Sequence, residues 1–326
     1  MSKSALITGI TGQDGRHLGR LLIDKGYTVY GMVNGQRGDG GNLIAHELPE
    51  VIQVRGDLAD SSSLARALEE TQPDEIYNLG AISFVGLSFS QPELTANITG
   101  LGVLRLLEAV RATKMADRVK IYQASSSEMF GKVQSMPQNE KTRFYPRSPY
   151  GVAKVFAHQS CINYREAYNM HISCGILFNH EGEKRGLEFV TRKITNSVAR
   201  IKLGLQDEIR LGDLSPKRDW GYAGDYVEAM WLMLQQEIPD DYVIATGETH
   251  SVQEFVDLAF KAADLEGQAG KYVKRDERFV RPSEVDVLVG DASKAHDKLG
   301  WKPKVSFEEL VRRMIESDIK LESSKL

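Results

Sequence analysis

Two short segments in the middle of the chain carry side chains that could perform acid–base chemistry. They are residues 125–128 (Ser-Ser-Ser-Glu) and residues 150–154 (Tyr-Gly-Val-Ala-Lys). On a helix, Tyr150 and Lys154 would lie one above the other on the same face. A lysine ammonium close to a phenol favours the phenolate and lowers the pKa of the tyrosine, so Tyr150 could act as a base near neutral pH. An ordinary amphipathic pair is the alternative for this spacing taken alone.

Local sequence signals place both segments where a sheet meets a helix. The apolar run at residues 119–122 predicts a strand, so Ser126 and Glu128 should emerge from its tip. Ser148 is a good N-cap and Pro149 suits the first helical position, which predicts a helix that carries Tyr150 and Lys154.

The start of the chain predicts a dinucleotide site. A short strand at residues 4–7 leads into residues 8–15, in which Gly9, Gly12 and Gly15 are spaced by three, and a helical pattern follows. Glycine permits a tight turn and lets backbone N–H groups approach a pyrophosphate at the helix N-terminus. A glycine-rich turn without a ligand is the alternative, but a strand before it and a helix after it favour the cofactor site.

The tip of the second strand, residues 28–33, bears on the choice of cofactor. An NAD-preferring site usually has Asp or Glu there to hold the ribose 2′-hydroxyl. This chain has no acid before Asp39, and Arg37 lies in the same loop. Arg37 could bind the 2′-phosphate of NADP or could be a solvated arginine in a glycine-rich loop. NADP is therefore the expected cofactor, with NAD as the alternative.

The alternation of elements predicts an α/β fold. Further strands at residues 51–54, 75–79 and 171–178 alternate with helices at 61–70 and 92–113. This order favours a doubly wound parallel sheet, a Rossmann domain, over residues 1–178. Helices with only short strands follow at 189–202, 224–236, 252–265 and 307–319. We therefore expect residues 179–326 to form a smaller, mostly helical substrate domain, with some chain crossing back to the sheet.

Composition excludes several classes of protein. The net charge of −4 over 326 residues gives no basic field for nucleic acid, and no apolar run is long enough to span a bilayer. The N-terminal residues do not have the pattern of a signal peptide, so a cytoplasmic location is expected. Cys161 and Cys174 lie in apolar segments and are expected to be buried thiols, and no metal site is predicted.

Taken together, these segments resemble the extended short-chain dehydrogenase/reductase family, and within it the GDP-mannose 4,6-dehydratases. The resemblance runs from Ala5 to about Pro303. It is carried by residues 7–15, 125–128, 146–154, 179–181, 189–194, 217–226 and 281–286. The first and third of these segments are common to the superfamily, and the later ones are narrower.

The resemblance implies a role for each matching residue. The catalytic residues would be Ser126, Glu128, Tyr150 and Lys154. Together with the glycine loop and the tip of the second strand, it predicts cofactor contacts at Gly9, Ile10, Thr11, Gly12, Gln13, Asp14, Arg37, Asp57, Leu58, Leu79, Gly80, Ala81, Ser83, Lys154, His180 and Arg185. Nucleotide-sugar contacts would fall on Asn179, Val190, Lys193, Arg218, Arg281 and Glu284. The implied substrate is GDP-mannose, and the implied assembly is a homodimer or homotetramer.

The implied reaction removes water from the sugar by an internal hydride transfer. Tyr150 would take the proton of the 4-hydroxyl, Ser126 would hold the developing ketone, and Glu128 would take the C5 proton and assist the loss of water from C6. A 4-epimerase or 4-keto-reductase on the same scaffold is the enzymatic alternative. A cofactor-sensing regulator that has lost catalysis is a further one.

Three segments depart from the pattern of the family. Residues 34–41 replace an Arg-Arg-Ser-rich loop that binds the 2′-phosphate and bridges to a neighbouring subunit. Ile82 and Phe84 stand where Gln and His are more usual, and residues 182–185 read Gly-Glu-Lys-Arg in place of Ser-Pro-Arg-Arg. These departures bear on cofactor choice, assembly and substrate detail more than on the type of reaction.

Overall fold

A computed structural model describes residues 2–34, 40–279, 283, 285 and 287–326. Three predicted site residues, Arg37, Arg281 and Glu284, lie outside the described residues. The strands are β1 (Ser4–Thr8), β2 (Thr28–Val33), β3 (Ile52–Arg55), β4 (Glu75–Asn78), β5 (Lys120–Ser126), β6 (His171–Leu177), β7 (Asn179–Glu181), β8 (Ile209–Leu211), β9 (Lys217–Arg218), β10 (Trp220–Tyr222), β11 (Asp241–Ile244), β12 (His250–Ser251) and β13 (Val273–Arg275).

The α-helices alternate with these strands through the first half of the chain. They are α1 (Gln13–Asp24), α2 (Gly40–Glu47), α3 (Ser61–Thr71), α4 (Val85–Ser90), α5 (Pro92–Thr95), α6 (Gly102–Ala112), α7 (Pro149–Tyr168), α8 (Val190–Lys202), α9 (Ala223–Gln235), α10 (Val252–Ala262), α11 (Ala269–Tyr272), α12 (Ser293–Leu299) and α13 (Phe307–Ser323). A π-helical segment, Ala96–Leu101, joins α5 to α6, and single 3₁₀ turns cover Ser127–Met129 and Glu277–Phe279. In the part of the chain that the structure describes, no helix is long and apolar enough to cross a membrane.

The large sheet has the order β11-β6-β5-β4-β1-β2-β3, and each neighbouring pair in it is parallel. The chain builds outward from β1 in one direction through β2 and β3, and then in the other direction from β4. The strand order therefore reverses between β1 and β4, which is the topological switch point at which ligands of such sheets bind. The predicted doubly wound parallel sheet is confirmed.

Both faces of this sheet are covered by helices, as a parallel sheet requires. Apolar side chains of α1, α9 and α12 pack with the sheet in one buried cluster. Side chains of α3, α6 and α7 form the cluster on the other face. Every residue of β4 is buried, because the strand lies in the middle of three layers.

Helices α8, α10 and α13 form a second core, in which Trp220 lies against the rings of Phe255 and Phe307. The chain also crosses back to the large sheet after residue 178. Strand β11 pairs with β6, with Asp241 opposite Cys174, and α9 and α12 pack on the sheet. We call the part of the chain around this second core, with α8, α10 and α13, the helical lobe. Segments of the helical lobe and of the Rossmann layers therefore alternate along the sequence.

Helix α7 begins as its sequence predicts. Ser148 Oγ accepts a hydrogen bond from the Gly151 N–H at 3.0 Å, and Pro149 occupies the first helical turn. The helix ends at Tyr168, and the following Asn169 has a φ of +52°, a left-handed conformation that asparagine tolerates. Tyr150, Lys154 and His158 are buried on the inner face of the helix.

Candidate active site

The carboxyl edge of the sheet collects most of the predicted site residues. The glycine loop follows β1, Asn34 follows β2, Asp57 follows β3, and Ser126 ends β5. Because parallel strands end on the same side, their tips form one cleft around the switch point. The observed strand β5 is longer than the predicted one and includes Ser126 as its last residue.

A tight turn at the end of β5 places Ser126 and Glu128 together. Ser126 Oγ caps the 3₁₀ turn by accepting a hydrogen bond from the Glu128 N–H at 3.2 Å. Glu128 is buried and Ser126 is half-buried. The backbone of Glu128 also approaches Gly151, where a Cβ would lie 2.7 Å from the Glu128 carbonyl oxygen. This close packing brings the strand tip against the first turn of α7.

Tyr150 and Lys154 both face this strand tip. The Lys154 Nζ donates a hydrogen bond to the Ala124 carbonyl oxygen at 2.6 Å and lies 5.7 Å from the centroid of the Tyr150 ring. Both side chains are buried, at 7% and 4% exposure for Tyr150 and Lys154. The lysine therefore ties α7 to β5 beside the phenol.

The expected lowering of the Tyr150 pKa by Lys154 is wrong for the protein alone. Burial raises the pKa of Tyr150 to about 12, although a hydrogen bond with Ser126 and the charge of Arg185 oppose the rise. Burial also lowers the pKa of Lys154 to about 8, against the opposing effect of Asp14. The loss of hydration affects both pKa values more than the proximity of the two groups does, because each charged form is deprived of water in the core.

The glycine loop after β1 has the shape that a dinucleotide needs. Gly9 has a φ of +71°, and a Cβ there would lie 2.9 Å from the Gly80 nitrogen of the loop after β4. A Cβ on Gly15 would lie 2.3 Å from the Gly9 carbonyl oxygen, so only glycine lets α1 pack this closely on the loop. Gly12 then caps α1 in an extended conformation. These residues fit a pyrophosphate at the N-terminus of α1.

The first turn of α1 is tied to the end of β6 by polar contacts. Asp14 Oδ2 lies 2.8 Å from His180 Nε2, and His180 Nδ1 lies 2.7 Å from the Phe178 carbonyl oxygen. Gln13 Nε2 donates to Asp14 Oδ1 at 3.1 Å and to the His180 carbonyl oxygen at 3.0 Å. Gln13 Oε1 is buried in the described structure without a hydrogen-bond partner, as expected for an acceptor that awaits a ligand donor.

The adenosine end of the predicted cofactor site lies at the tips of β2, β3 and β4. Asn34 Nδ2 donates to Asp57 Oδ2 at 2.6 Å, and Asp57 Oδ1 accepts from the Ala59 N–H at 2.8 Å. Leu58 is buried against Gly80 and Gly102. The remaining predicted contacts in this region have mixed exposure. Ile10 is buried in the core, Thr11, Leu79, Gly80 and Ala81 are half-buried, and Ser83 is exposed.

Arg55 is a further candidate for the cofactor site, and local sequence signals did not identify it. It ends β3 in register with Val33, one strand away from the tip of β2. Its side chain is exposed, and no carboxylate among the described residues lies within salt-bridge distance of it. An arginine immediately before Gly-Asp at a strand tip is the signal that could have identified it.

Arg185 lies in the segment that differs from the family pattern. Its Nε forms an ion pair with Glu181 Oε2 at 3.0 Å, and its guanidinium lies 3.6 Å from the centroid of the Phe189 ring. Arg192 donates to the Arg185 carbonyl oxygen at 3.0 Å, and Arg16 donates to the Lys184 carbonyl oxygen at 2.6 Å. This segment is therefore held from both α1 and α8.

The described members of the predicted nucleotide-sugar set lie on elements that follow β6 in the chain. Asn179 begins β7, and its buried Oδ1 has no hydrogen-bond partner in the described structure. Val190 and Lys193 lie in the first turn of α8, where the Lys193 Nζ is 3.3 Å from the centroid of the Phe279 ring. Arg218 is buried in β9. The described members of the predicted set thus lie on β7, α8 and β9.

A buried polar cluster behind α7 was not predicted. Ser125 Oγ lies 2.9 Å from His158 Nδ1. A ring nitrogen of His158, the sulfur of Cys174 and a carboxylate oxygen of Asp241 fall within 4.8 Å of one another. The Arg165 Nη2 lies 2.5 Å from Asp241 Oδ1 and supplies a positive charge to the group. The two cysteines are buried and free, as expected.

The chain is similar to known enzymes over its whole length. The family model for GDP-mannose 4,6 dehydratase matches residues 6–314. GDP-mannose 4,6 dehydratase 1 of Arabidopsis thaliana is 52% identical over 329 residues, covering 98% of this chain and 90% of the relative. The GDP-mannose 4,6 dehydratase of Homo sapiens is 50% identical, covering 97% and 91%.

A solved structure gives the same architecture. The UDP-glucose 4-epimerase of Thermotoga maritima, crystallised with UDP-glucose, superposes with a TM-score of 0.85 at 25% identity and covers 98% of this chain and 99% of its own. The fold, with its cleft at the switch point of the sheet, and the match along the sequence therefore point to the same family. The chain belongs to the GDP-mannose 4,6-dehydratase family, on the fold of the extended short-chain dehydrogenases/reductases.

Proposed function

We propose that this protein converts GDP-mannose to GDP-4-keto-6-deoxymannose and water. The observation that carries the proposal is the buried Glu128, placed by a tight turn beside Ser126 and against the helix that bears Tyr150. A carboxylate at this position can move a proton between carbon and water, which the other polar groups of the cleft are less suited to do. Membership of the family and about 50% identity to its curated members support the same reaction.

The side chains divide the proton transfers among them. Tyr150 takes the proton of the sugar 4-hydroxyl, and the Ser126 hydroxyl donates a hydrogen bond to the developing ketone oxygen. The ketone acidifies the neighbouring C5–H bond. Glu128 takes the C5 proton and delivers a proton to the hydroxyl that leaves C6 as water. When the hydride reaches C6, Tyr150 returns to C5 the proton that it took from the 4-hydroxyl, so both side chains end as they began. Lys154 keeps α7 against β5 through the Ala124 carbonyl, so that the phenol stays beside the strand tip.

A nicotinamide cofactor, when bound, supplies the acceptor and donor of the hydride that moves from C4 to C6. Gly9, Gly12 and the first turn of α1 would hold its pyrophosphate, and Asp57 and Leu58 would contact its adenine. NADP is the proposed form because the tip of β2 carries Asn34 in place of a carboxylate and the neighbouring tip carries Arg55.

The test is incubation of the purified protein with GDP-mannose and catalytic NADP, followed by mass analysis. The expected product is lighter by one water, with no net change in the amount of reduced cofactor. Parallel reactions with UDP-glucose and dTDP-glucose define the choice of nucleotide. An isomer of unchanged mass, or stoichiometric oxidation of NADPH, would disprove the proposal.

A nucleotide-sugar 4-epimerase is the second candidate, because the superposed epimerase has the same architecture. An epimerase returns the hydride to C4 and needs no acid–base group at C5 or C6. Glu128 therefore favours the dehydratase, and product mass separates the two reactions.

We also propose that the protein is a homodimer. Val152 and Phe156 are exposed on the outer face of α7, at 56% and 44%, and Leu101 is exposed nearby at 42%. A Cβ on Gly100 would lie 3.4 Å from Phe156, so the segment that carries Leu101 packs beside Phe156 on α7. Pairing of two such surfaces would bury them. Light scattering should give a dimer for the wild type and a monomer for Phe156→Asp.

A further inference from the structure

We propose that His180 is an imidazolium cation whose charge neutralises Asp14 and so lets the first turn of α1 accept the pyrophosphate of the cofactor. The inference rests on the proposed function for the presence of a dinucleotide. It adds a role that neither the family match nor the spacing of residues provides, because Asp14 and His180 are 166 positions apart.

The hydrogen-bonding geometry requires both ring nitrogens of His180 to donate. The Nδ1 atom faces the Phe178 carbonyl oxygen at 2.7 Å, and a carbonyl can only accept. The Nε2 atom faces Asp14 Oδ2 at 2.8 Å, and an ionised carboxylate can also only accept. A neutral imidazole has one N–H and would leave one of these two oxygens opposite a nitrogen lone pair. The doubly protonated ring satisfies both.

The groups around the ring are consistent with a charged pair. Tyr226 of α9 stacks on the imidazole at 4.8 Å between centroids and an angle of 20°, and an aromatic face favours a cation. Arg185 is the positive group that opposes the charge. Burial lowers the pKa of His180, but the contact with Asp14 outweighs it and the net shift is upward. Burial raises the pKa of Asp14, but His180, Arg185 and Gln13 lower it by more.

The position of Asp14 explains why such a pair is useful. The N-terminus of α1 carries free N–H groups and a positive dipole end, which attract an anion. A carboxylate in the same turn is stabilised by this dipole, but by itself it would repel a pyrophosphate that occupies the turn. Asp14 also raises the pKa values of Tyr150 and Lys154, although burial is the larger influence on both. A cation on His180 cancels the repulsion while the carboxylate keeps tying α1 to β6.

The proposal is tested by titrating NADPH calorimetrically into the wild type, His180→Gln, Asp14→Asn and the double variant near neutral pH. Glutamine keeps a hydrogen-bonding group but removes the charge. At an effective dielectric constant of about 20, an uncompensated carboxylate beside the pyrophosphate should weaken the affinity of His180→Gln by about tenfold to hundredfold. Adding Asp14→Asn removes the repulsion, and the double variant should recover most of the affinity.

His171 provides the matched control, because it begins β6 at the opposite end of the strand from His180. His171→Gln should bind NADPH as the wild type does. The state of the ring is measured independently by ¹⁵N NMR of the wild type near neutral pH, where both nitrogens of His180 should carry protons. This measurement does not depend on whether a variant folds.

Three results would overturn the proposal. They are a neutral His180 ring in the NMR spectrum, wild-type affinity in folded His180→Gln, or no recovery in the folded double variant. None of them would affect the proposed reaction, which is tested by water loss in the wild type. Conversely, a wild-type protein that binds no dinucleotide would contradict the proposed function itself.

Discussion

Lys154 and Tyr150 share the inner face of α7, yet the lysine ammonium is hydrogen-bonded to the Ala124 carbonyl oxygen at 2.6 Å and lies 5.7 Å from the centre of the phenol ring. The phenol of the protein alone has a pKa raised to about 12 by burial. Tyr150 is therefore protonated before ligands bind, and the base must be generated within the assembled complex. Among the described residues, Ser126 and Arg185 favour the phenolate.

Cofactor affinity should decrease as the pH rises through about 8. Burial lowers the pKa of Lys154 to about 8, so its ammonium loses a proton in that range and the cleft loses one positive charge. Binding of an anionic dinucleotide is favoured by the protonated form and weakens as the pH increases. Titration of NADPH across this range measures the effect. Lys154→Arg keeps its charge and should remove the decline, whereas a level wild-type profile would contradict the assignment.

Glu128→Gln should strongly slow water loss while leaving GDP-mannose bound. The amide cannot accept the C5 proton, so the rate of dehydration should fall by about 10²–10⁴. Calorimetry should show an affinity for GDP-mannose within about twofold of the wild type, because the shape of the side chain is kept. Glu93→Gln, at an exposed position in α5, is the control. Dehydration near the wild-type rate in Glu128→Gln would remove Glu128 from the mechanism.

Arg55→Gln should weaken NADPH binding by about tenfold and leave NADH binding nearly unchanged, because a guanidinium pairs strongly with a phosphate and weakly with a hydroxyl. The comparison of the two cofactors is made by fluorescence titration. Arg66→Gln removes an equal charge from the exposed surface of α3 and should change neither affinity. Equal losses for NADPH and NADH in Arg55→Gln would indicate a general electrostatic effect and not recognition of the 2′-phosphate.

Loss of one partner of the ion pair between Arg192 and Asp318 should strongly destabilise the helical lobe. Asp318 is fully buried in α13, and Arg192 Nε and Nη2 lie 2.8 and 2.7 Å from its Oδ1, while Thr195 donates to Oδ2 at 2.7 Å. Asp318→Ala leaves the arginine charge buried without its partner and should lower the free energy of unfolding by about 3–5 kcal/mol.

Urea denaturation measures the change at Asp318. Arg312→Ala breaks exposed ion pairs on the same helix and should cost no more than about 1 kcal/mol. Arg192 also donates to the Arg185 carbonyl oxygen, so the ion pair could influence cofactor affinity. Asp318→Asn tests this influence, because it should destabilise the protein less than Asp318→Ala does. Similar midpoints for Asp318→Ala and Arg312→Ala would show that the buried pair contributes little.

Local sequence signals predicted the fold well because the elements of the first half are strongly patterned. The bounds of β2 agree with the prediction, and Ser148 and Pro149 begin α7 as expected. The strand β11 was missed, since four residues, Asp241–Ile244, within a helical region carry no sign of the strand with which they pair.

The site was predicted less completely than the fold, because the missing properties depend on distant parts of the chain. The spacing of Tyr150 and Lys154 gives their common face but not the exclusion of water that decides their pKa values. The contact of Asp14 with His180 joins α1, near the start of the chain, to β7, and no local sequence pattern relates the two residues. Arg55 becomes a candidate for the cofactor site only once β3 is known to lie beside β2.

The return of β11 to the sheet has a consequence for how the protein can be made. A fragment that stops at residue 178 would leave β6 as a bare edge with unpaired backbone groups, which is a template for aggregation. During synthesis, that edge stays uncovered until residue 244 has left the ribosome. Expression of the first 178 residues as an independent unit, or a split-protein design at that point, should therefore give insoluble material, whereas a break in an exposed loop beyond β11 leaves the sheet complete.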